Sequence, residues 1–174
     1  MPIAIKDLPS ADMLRSMFRY DAEAGRLFWV MQPWRQKPMV GSEAGTENIF
    51  RGEKRRVVQI SGTRFKAHRI IWKMMTGDDP SEFIDHINGD PLDNRWANLR
   101  AATHSENQRN QRVHKNNKVG LKGVRFVKRR QCFEATITHK RKTKWLGYFR
   151  SKDEAHAAYV LAAKEMYGAF ARAA

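Results

Sequence analysis

Apolar residues near the start of the chain recur at helical spacing. Met13, Leu14, Met17 and Phe18 predict a short helix over Ser10–Tyr20, with Ser10 or Asp12 as its cap. Asp21-Ala22-Glu23-Ala24-Gly25 is a turn signal before a strand at Arg26–Val30. Residues 33–52 contain Gly and Pro without clear periodicity and read as loop. Arg56–Ile60 and Arg64–His68 flank Ser61-Gly62-Thr63, the layout of a hairpin. Ile70, Ile71, Trp72 and Met74 predict a helix stopping at Gly77, with Pro80 beyond.

The middle of the chain reads as strand, long turn, strand, helix. Phe83-Ile84-Asp85-His86 is the first strand, Asn88-Gly89-Asp90-Pro91 opens the turn, and Leu99–Ala102 is the second strand. Thr103-His104-Ser105-Glu106 has the form of a capping box, which puts Asn107 on the first turn of a helix facing the strands. This frame predicts that Asp85, His86, Asn98 and Asn107 converge. Adjacent Asp85 and His86 point apart on a regular strand, so both serve one site only if the strand twists or ends there. Farther on, three short strands are predicted at 123–127, 133–138 and 143–149, then a helix opened by a second capping box, Ser151-Lys152-Asp153-Glu154. Alternation puts Phe133, Ala135 and Ile137 under that helix and Glu134, Thr136 and Thr138 on the open face.

Composition narrows the partners. The 174 residues carry 33 Lys and Arg against 18 Asp and Glu, a formal charge of +15. Nucleic acid is the default partner of such a chain, a membrane surface the second. No apolar run reaches the length of a membrane span, and the N-terminus lacks the layout of a signal peptide. Cys132 is the single cysteine, which rules out an internal disulfide and a zinc cysteine cage, and a reducing, cytoplasmic setting is expected. Between Arg109 and Arg150, Glu134 is the only acid.

An Asp-His pair followed by two Asn residues suits metal-assisted phosphodiester cleavage. It offers a base, a group to orient it, and oxygen ligands for a hard cation such as Mg2+ or Mn2+. The run from Ile84 to Asn107 resembles the HNH nuclease motif, in the variant carried by phage and intron homing endonucleases. That resemblance implies His86 as general base, Asn98 as the residue fixing its ring, and Asp85 and Asn107 as ligands of one divalent metal ion. The C-terminal part resembles the AP2 DNA-binding domain through Lys122-Gly123-Val124-Arg125, Trp145-Leu146-Gly147-Tyr148-Phe149 and Glu154-Ala155-His156-Ala157-Ala158-Tyr159. In that family the sheet lies in the DNA major groove. Lys122, Arg125, Arg129, Thr136, Thr138, Lys144 and Trp145 are therefore the expected DNA contacts, with Lys122, Arg125, Arg129, Lys144 and Trp145 on the DNA side. Thr136 and Thr138 stand where many AP2 domains have Arg or Glu, so sequence preference does not carry over.

The expected fold class is α+β: a ββα-metal (HNH) nuclease core followed by a small three-stranded antiparallel sheet packed on one helix. The expected divisions are an N-terminal extension at 1–52, a nuclease domain at 53–112, a linker at 113–118 and an AP2-like domain at 119–174. The expected function is a metal-dependent endonuclease of the free-standing or intron homing type, acting on double-stranded DNA as a monomer and nicking it. The rivals are a non-catalytic DNA-binding regulator and a basic packaging protein, and neither needs the Asp85, His86, Asn98 and Asn107 set. Asn88 and Asn94 read as turn formers, and His68 as a packing or hydrogen-bonding residue that ends a strand. His104, His114, His139 and His156 read as residues of a cap region, linker, turn and helix surface.

Overall fold

Ser10 stops the chain from fraying into the first helix by accepting a hydrogen bond from the Met13 amide at 3.3 Å, and α1 runs Ala11–Met17. The computed structural model describes residues 7–31, 40–50, 52–80, 83–110, 113, 116–140 and 142–171. Helix α1 ends three residues earlier than its periodicity predicts. Phe18–Asp21 instead forms β1, paired antiparallel with β2 (Arg26–Trp29). Pairing with β2 satisfies the backbone of Phe18 and buries its ring against Trp29 at 4.4 Å, which local helical spacing does not register.

A second sheet has the order β3-β4-β5: Thr46–Phe50, Glu53–Ile60 and Thr63–Lys66. Strand β3 falls within the stretch expected to be loop. Its Glu and Asn residues are poor strand formers, four of its five residues are exposed, and β4 alone gives it a partner. Ser61 and Gly62 both take positive φ, as a two-residue hairpin turn requires. The chain then enters α2 (Ala67–Thr76) directly, so His68 lies in the first helical turn instead of ending a strand. Gly77 closes α2 in the left-handed conformation. Strands β6 (Phe83–His86) and β7 (Leu99–Ala102) pair antiparallel as the pattern predicts.

The chain divides into two compact units, Met1–Thr103 and His104–Ala174. In the first, one core gathers Leu8, Leu14, Phe18 and Leu27 with Val58, Ile70, Ile71 and Leu99. The opening helix and hairpin thus share a core with the Asp-His motif. Burying aliphatic and aromatic side chains of this size contributes roughly 1.5–3 kcal/mol each.

The second unit starts with α3 (His104–Asn110), where Asn107 stands, half-buried. The Lys122 ammonium donates to the Arg109 carbonyl at 2.6 Å, and the Arg109 guanidinium lies 4.9 Å from the Tyr167 ring centre, which tie α3 to the rest of the unit. Strands β8 (Val124–Val127), β9 (Cys132–His139) and β10 (Lys142–Phe149) form an antiparallel sheet with β9 in the middle. Helix α4 (Lys152–Tyr167) packs on one face through Ala155, Tyr159, Ala162 and Ala163. Its capping box is formed: the Glu154 amide donates to Ser151 Oγ at 3.1 Å and the Ser151 amide to the Glu154 carboxylate at 3.4 Å. Gly123 has φ +67°, and a Cβ there would sit 2.1 Å from the Tyr159 ring, so only glycine lets β8 pass under α4. The architecture is mixed α/β with several small antiparallel sheets.

Candidate active site and nucleic-acid face

Strand β6 ends at His86: one further bond continues its ladder, and the chain then turns back on itself. The Ile87 amide donates to the Asn98 carbonyl at 2.9 Å and the Gly89 amide to the His86 carbonyl at 2.7 Å. Asp85 and His86 are nevertheless both buried, at 4% and 5% exposure. Asp85 sits opposite Arg100 on β7, whose Nε and Nη2 donate to its Oδ2 at 2.8 and 2.7 Å. The expected metal ligand is thus also an ion-pair partner of a residue that spacing did not single out.

The ring of His86 is held by Asn94. Nε2 of His86 lies 3.1 Å from Asn94 Oδ1, while Asn94 Nδ2 donates to the Leu92 carbonyl at 3.3 Å. That second bond fixes which way the amide points and aims its oxygen at the ring. An amide oxygen only accepts, so the proton sits on Nε2 and the neutral ring carries its lone pair on Nδ1. Burial lowers the His86 pKa below its ordinary value, and nearby Arg55 adds to this against the opposing Asn94 bond and the charges of Asp85 and Asp90. The unprotonated, proton-accepting form is therefore the one favoured near pH 7.

Asn98, expected to fix this ring, does something else. Its Oδ1 accepts from the Asn88 amide at 2.9 Å, and its Nδ2 donates to Asn88 Oδ1 at 3.0 Å and the Asp93 carbonyl at 2.8 Å. Twelve residues of spacing bring Asn98 back to the mouth of the loop, where it closes residues 88–93. Asn94, read from the sequence as a turn former, is instead buried at 1% exposure with its amide oxygen on the ring. Asp93 completes the loop: it takes bonds from Arg95 at 2.8 and 2.6 Å and from Asn88 Nδ2 at 2.7 Å, and Arg95 above all holds its carboxyl down to about 2.

A second imidazole touches the site. His68, also buried, meets His86 edge-on with ring centres 5.1 Å apart and planes at 89°. Burial holds His68 well below its ordinary pKa, and the charges of His86, Arg55, Lys66 and Arg69 add to this. Its packing role agrees with the sequence reading, but its neighbour was not legible from spacing.

Metal chemistry is compatible with this donor set. Among the described residues no three His, Cys, Asp or Glu side chains gather as a metal-binding group. Asp85 supplies one hard carboxylate, which suits Mg2+, a cation that keeps several waters and takes further oxygens from phosphate. Asn107 stands on α3 in the second unit.

On the second unit, antiparallel pairing assigns the faces. Ile137 is buried against α4, and Lys144 lies directly opposite it, so Lys144 belongs to the helix-bearing face instead of the expected DNA face. Trp145 pairs with Thr136 and Thr143 with Thr138 on the open face. An irregularity between Trp145 and Gly147 then lets Tyr148 return to that face opposite Glu134. Trp145 is 56% exposed and touches Tyr148 edge-on at 5.3 Å, while the Arg130 guanidinium covers the Tyr148 ring at 4.6 Å. Arg125 and Arg129 are exposed, and Arg125 pairs with the buried Glu134. The sole acid of this stretch is thereby neutralised, which leaves the face with unopposed cations and two exposed rings. Lys122 is half-buried and spends its ammonium on the Arg109 carbonyl. Tyr148 and Arg130 are the open-face residues that the sequence reading missed: the irregularity before Gly147 hid Tyr148, and Arg130 joins the face by covering its ring.

Residues 65–109 match the HNH endonuclease family. Over 110 residues the chain is 36% identical to Protein 3.8 of Escherichia phage T7, covering 62% of this chain and 88% of that protein. It is also 30% identical over 110 residues to an uncharacterized HNH endonuclease, L560, of Acanthamoeba polyphaga mimivirus, covering 62% of this chain and 56% of that protein. No solved structure matches. No helix among the described residues is long and apolar enough to cross a membrane.

Proposed function

The chain belongs to the family of Protein 3.8 of phage T7 and carries an HNH endonuclease segment, and from that premise we propose that it is a metal-dependent endonuclease of double-stranded DNA. The observation that carries this reading is the buried His86, kept neutral and held by Asn94 with Nε2 protonated, next to the carboxylate of Asp85.

His86 takes the proton from the attacking water at Nδ1. Asn94 sets the tautomer and ring plane, and the imidazolium formed keeps its Nε2–H bond to the amide oxygen. Asp85 is the residue of the first unit that would hold the cation. A divalent ion bound there supplies charge neutralisation at the phosphate and the departing 3′ oxygen. Arg100 orients the Asp85 carboxylate through its two-pronged bond. The open face of the second unit, AP2-like in its strands and helix, grips DNA through Arg125, Arg129, Arg130, Trp145 and Tyr148 with Thr136 and Thr138 between them. The chain carries one Asp85-His86 pair, enough for one phosphodiester at a time, so a single chain nicks one strand and acts as a monomer.

The test is supercoiled plasmid with Mg2+ or Mn2+, with and without chelator, using wild type and His86→Ala. Metal-dependent relaxation by wild type and its loss in His86→Ala supports the reading. DNA binding without cutting under any metal overturns it in favour of a DNA-binding regulator.

A further inference from the structure

The hairpin β1–β2 lies outside the HNH-matched segment, yet it reaches the catalytic loop at two points. Tyr20 Oη donates to the Asn94 carbonyl at 2.8 Å. Burial pushes this phenol up to about 12 against the pull of the Trp96 backbone, so it remains a donor at any working pH. At the hairpin turn, Gly25 takes φ +67° and packs on the same backbone: a Cβ there would lie 2.5 Å from the Arg95 nitrogen and 2.7 Å from the Asn94 carbonyl carbon. The turn is built to present that glycine. Asp21 Oδ1 accepts from the amides of Glu23 and Ala24 at 3.2 and 3.0 Å, and the Gly25 amide donates to the Asp21 carbonyl at 2.8 Å.

We propose that this hairpin is a working part of the His86 site, with Tyr20 and Gly25 as positioning residues that fix the Asn94 backbone so that its amide oxygen holds His86 in the Nε2–H form. The chain of contact is short and continuous: Tyr20 to the Asn94 carbonyl, the Asn94 side chain to the ring. Asn94 has only one side-chain torsion between its backbone and the branching carbon of its amide, so a shift of its backbone moves Oδ1 by a similar distance. A hydrogen bond of 3.1 Å tolerates little such movement before its geometry fails. The first core cluster anchors the hairpin through Phe18, Leu27 and Trp29, which makes it a stiff strut. The Tyr-Asp-x-x-x-Gly spacing of residues 20–25 thereby gains a purpose beyond the turn itself. The inference rests on His86 being the general base.

The experiment uses the full chain with 15N-labelled histidine. Long-range 1H–15N spectra at pH 7.5 report the tautomer of each of the six histidines, and His86→Gln identifies the His86 signal by its loss. Wild type should show the Nε2–H pattern at His86. Tyr20→Phe should show a mixed pattern, with cleavage at saturating DNA slowed roughly 10-fold and DNA affinity unchanged, a loss in the range that misplacement of a reacting group produces. Gly25→Ala, which strikes the same backbone from the turn, should produce the same two changes. A wild-type ring pattern or an unchanged cleavage rate in Tyr20→Phe overturns the inference, as does a lowered melting temperature with the ring pattern intact. If His86→Gln cuts like wild type, the nuclease reading falls and this inference with it. An inert His86→Gln beside an unaltered ring pattern in Tyr20→Phe brings down this inference alone.

Discussion

Arg100 and Asp85 face each other across β6 and β7 and share a two-pronged ion pair, with Nε and Nη2 of the guanidinium at 2.8 and 2.7 Å from one carboxylate oxygen. Both side chains are largely buried, so removing one leaves the other charged in a poor solvent. Arg100→Leu should therefore destabilise the protein by about 3–5 kcal/mol. It should also sharpen the response to metal, because the Asp85 carboxylate loses the two guanidinium bonds that compete with a cation. Thermal unfolding with and without millimolar Mg2+ checks both points: the metal should raise the melting temperature more in Arg100→Leu than in wild type.

Asn94 and Asn98 should separate cleanly by phenotype. Asn94→Ala leaves the base without its tautomer partner, and cleavage should drop by roughly 10²-fold, within the span attributed to a positioned base. DNA affinity should hold. Asn98→Ala removes three loop bonds and should cost stability of about 1–3 kcal/mol. Single-turnover rates beside denaturant melts distinguish the two, and an Asn98→Ala that is stable but catalytically dead would reverse the assignment.

The two histidines make the fold acid-sensitive. Both have folded-state pKa values below the unfolded one, so protons bind the unfolded chain more readily. The stability they permit is complete above about pH 6.5 and is lost as pH falls below it, by up to ~1.4 kcal/mol per pH unit for each histidine. Urea melts between pH 7.5 and 5 should show this slope, and His68→Gln should reduce it. Cleavage should fade on the acid side only below pH 6.5, since the lowered pKa keeps His86 unprotonated to that point.

DNA binding should be steeply salt-dependent. Each lost phosphate contact should reduce the slope of log affinity against log salt by about 0.9. Arg129→Ala should show that change, and Lys144→Ala should have the smaller effect, because Lys144 lies opposite Ile137 on the helix-bearing face. Trp145→Ala and Tyr148→Ala should weaken binding while leaving the salt slope intact. Filter-binding titrations across 50–300 mM salt read all four.

A time course on supercoiled plasmid tests the nicking prediction. Open-circle product should accumulate well before linear product, at first order in protein. Direct linearisation at second order would identify a paired cutter.

The sequence alone determined the elements whose signals are local. Ser61-Gly62 dictates a hairpin turn, Gly77 a helix stop and Ser151-Glu154 a capped helix, because each is set by backbone conformation and bonds within a few residues. It also determined the order strand, turn, strand, helix around Asp85 and His86, and the excess of cations around Glu134. Tertiary structure decided what depends on partners distant in sequence. Strand β3 exists because β4 pairs with it, and α1 stops at Met17 because β2 claims Phe18. Lys144 takes its face from pairing with Ile137, and Tyr148 takes its face from the irregularity that follows Trp145. His86 bonds Asn94 instead of Asn98, since spacing along a folded loop does not measure distance across it. Tyr20 and Gly25 reach that loop from some seventy residues away, and only the shared core brings a side chain and a missing Cβ to the same carbonyl.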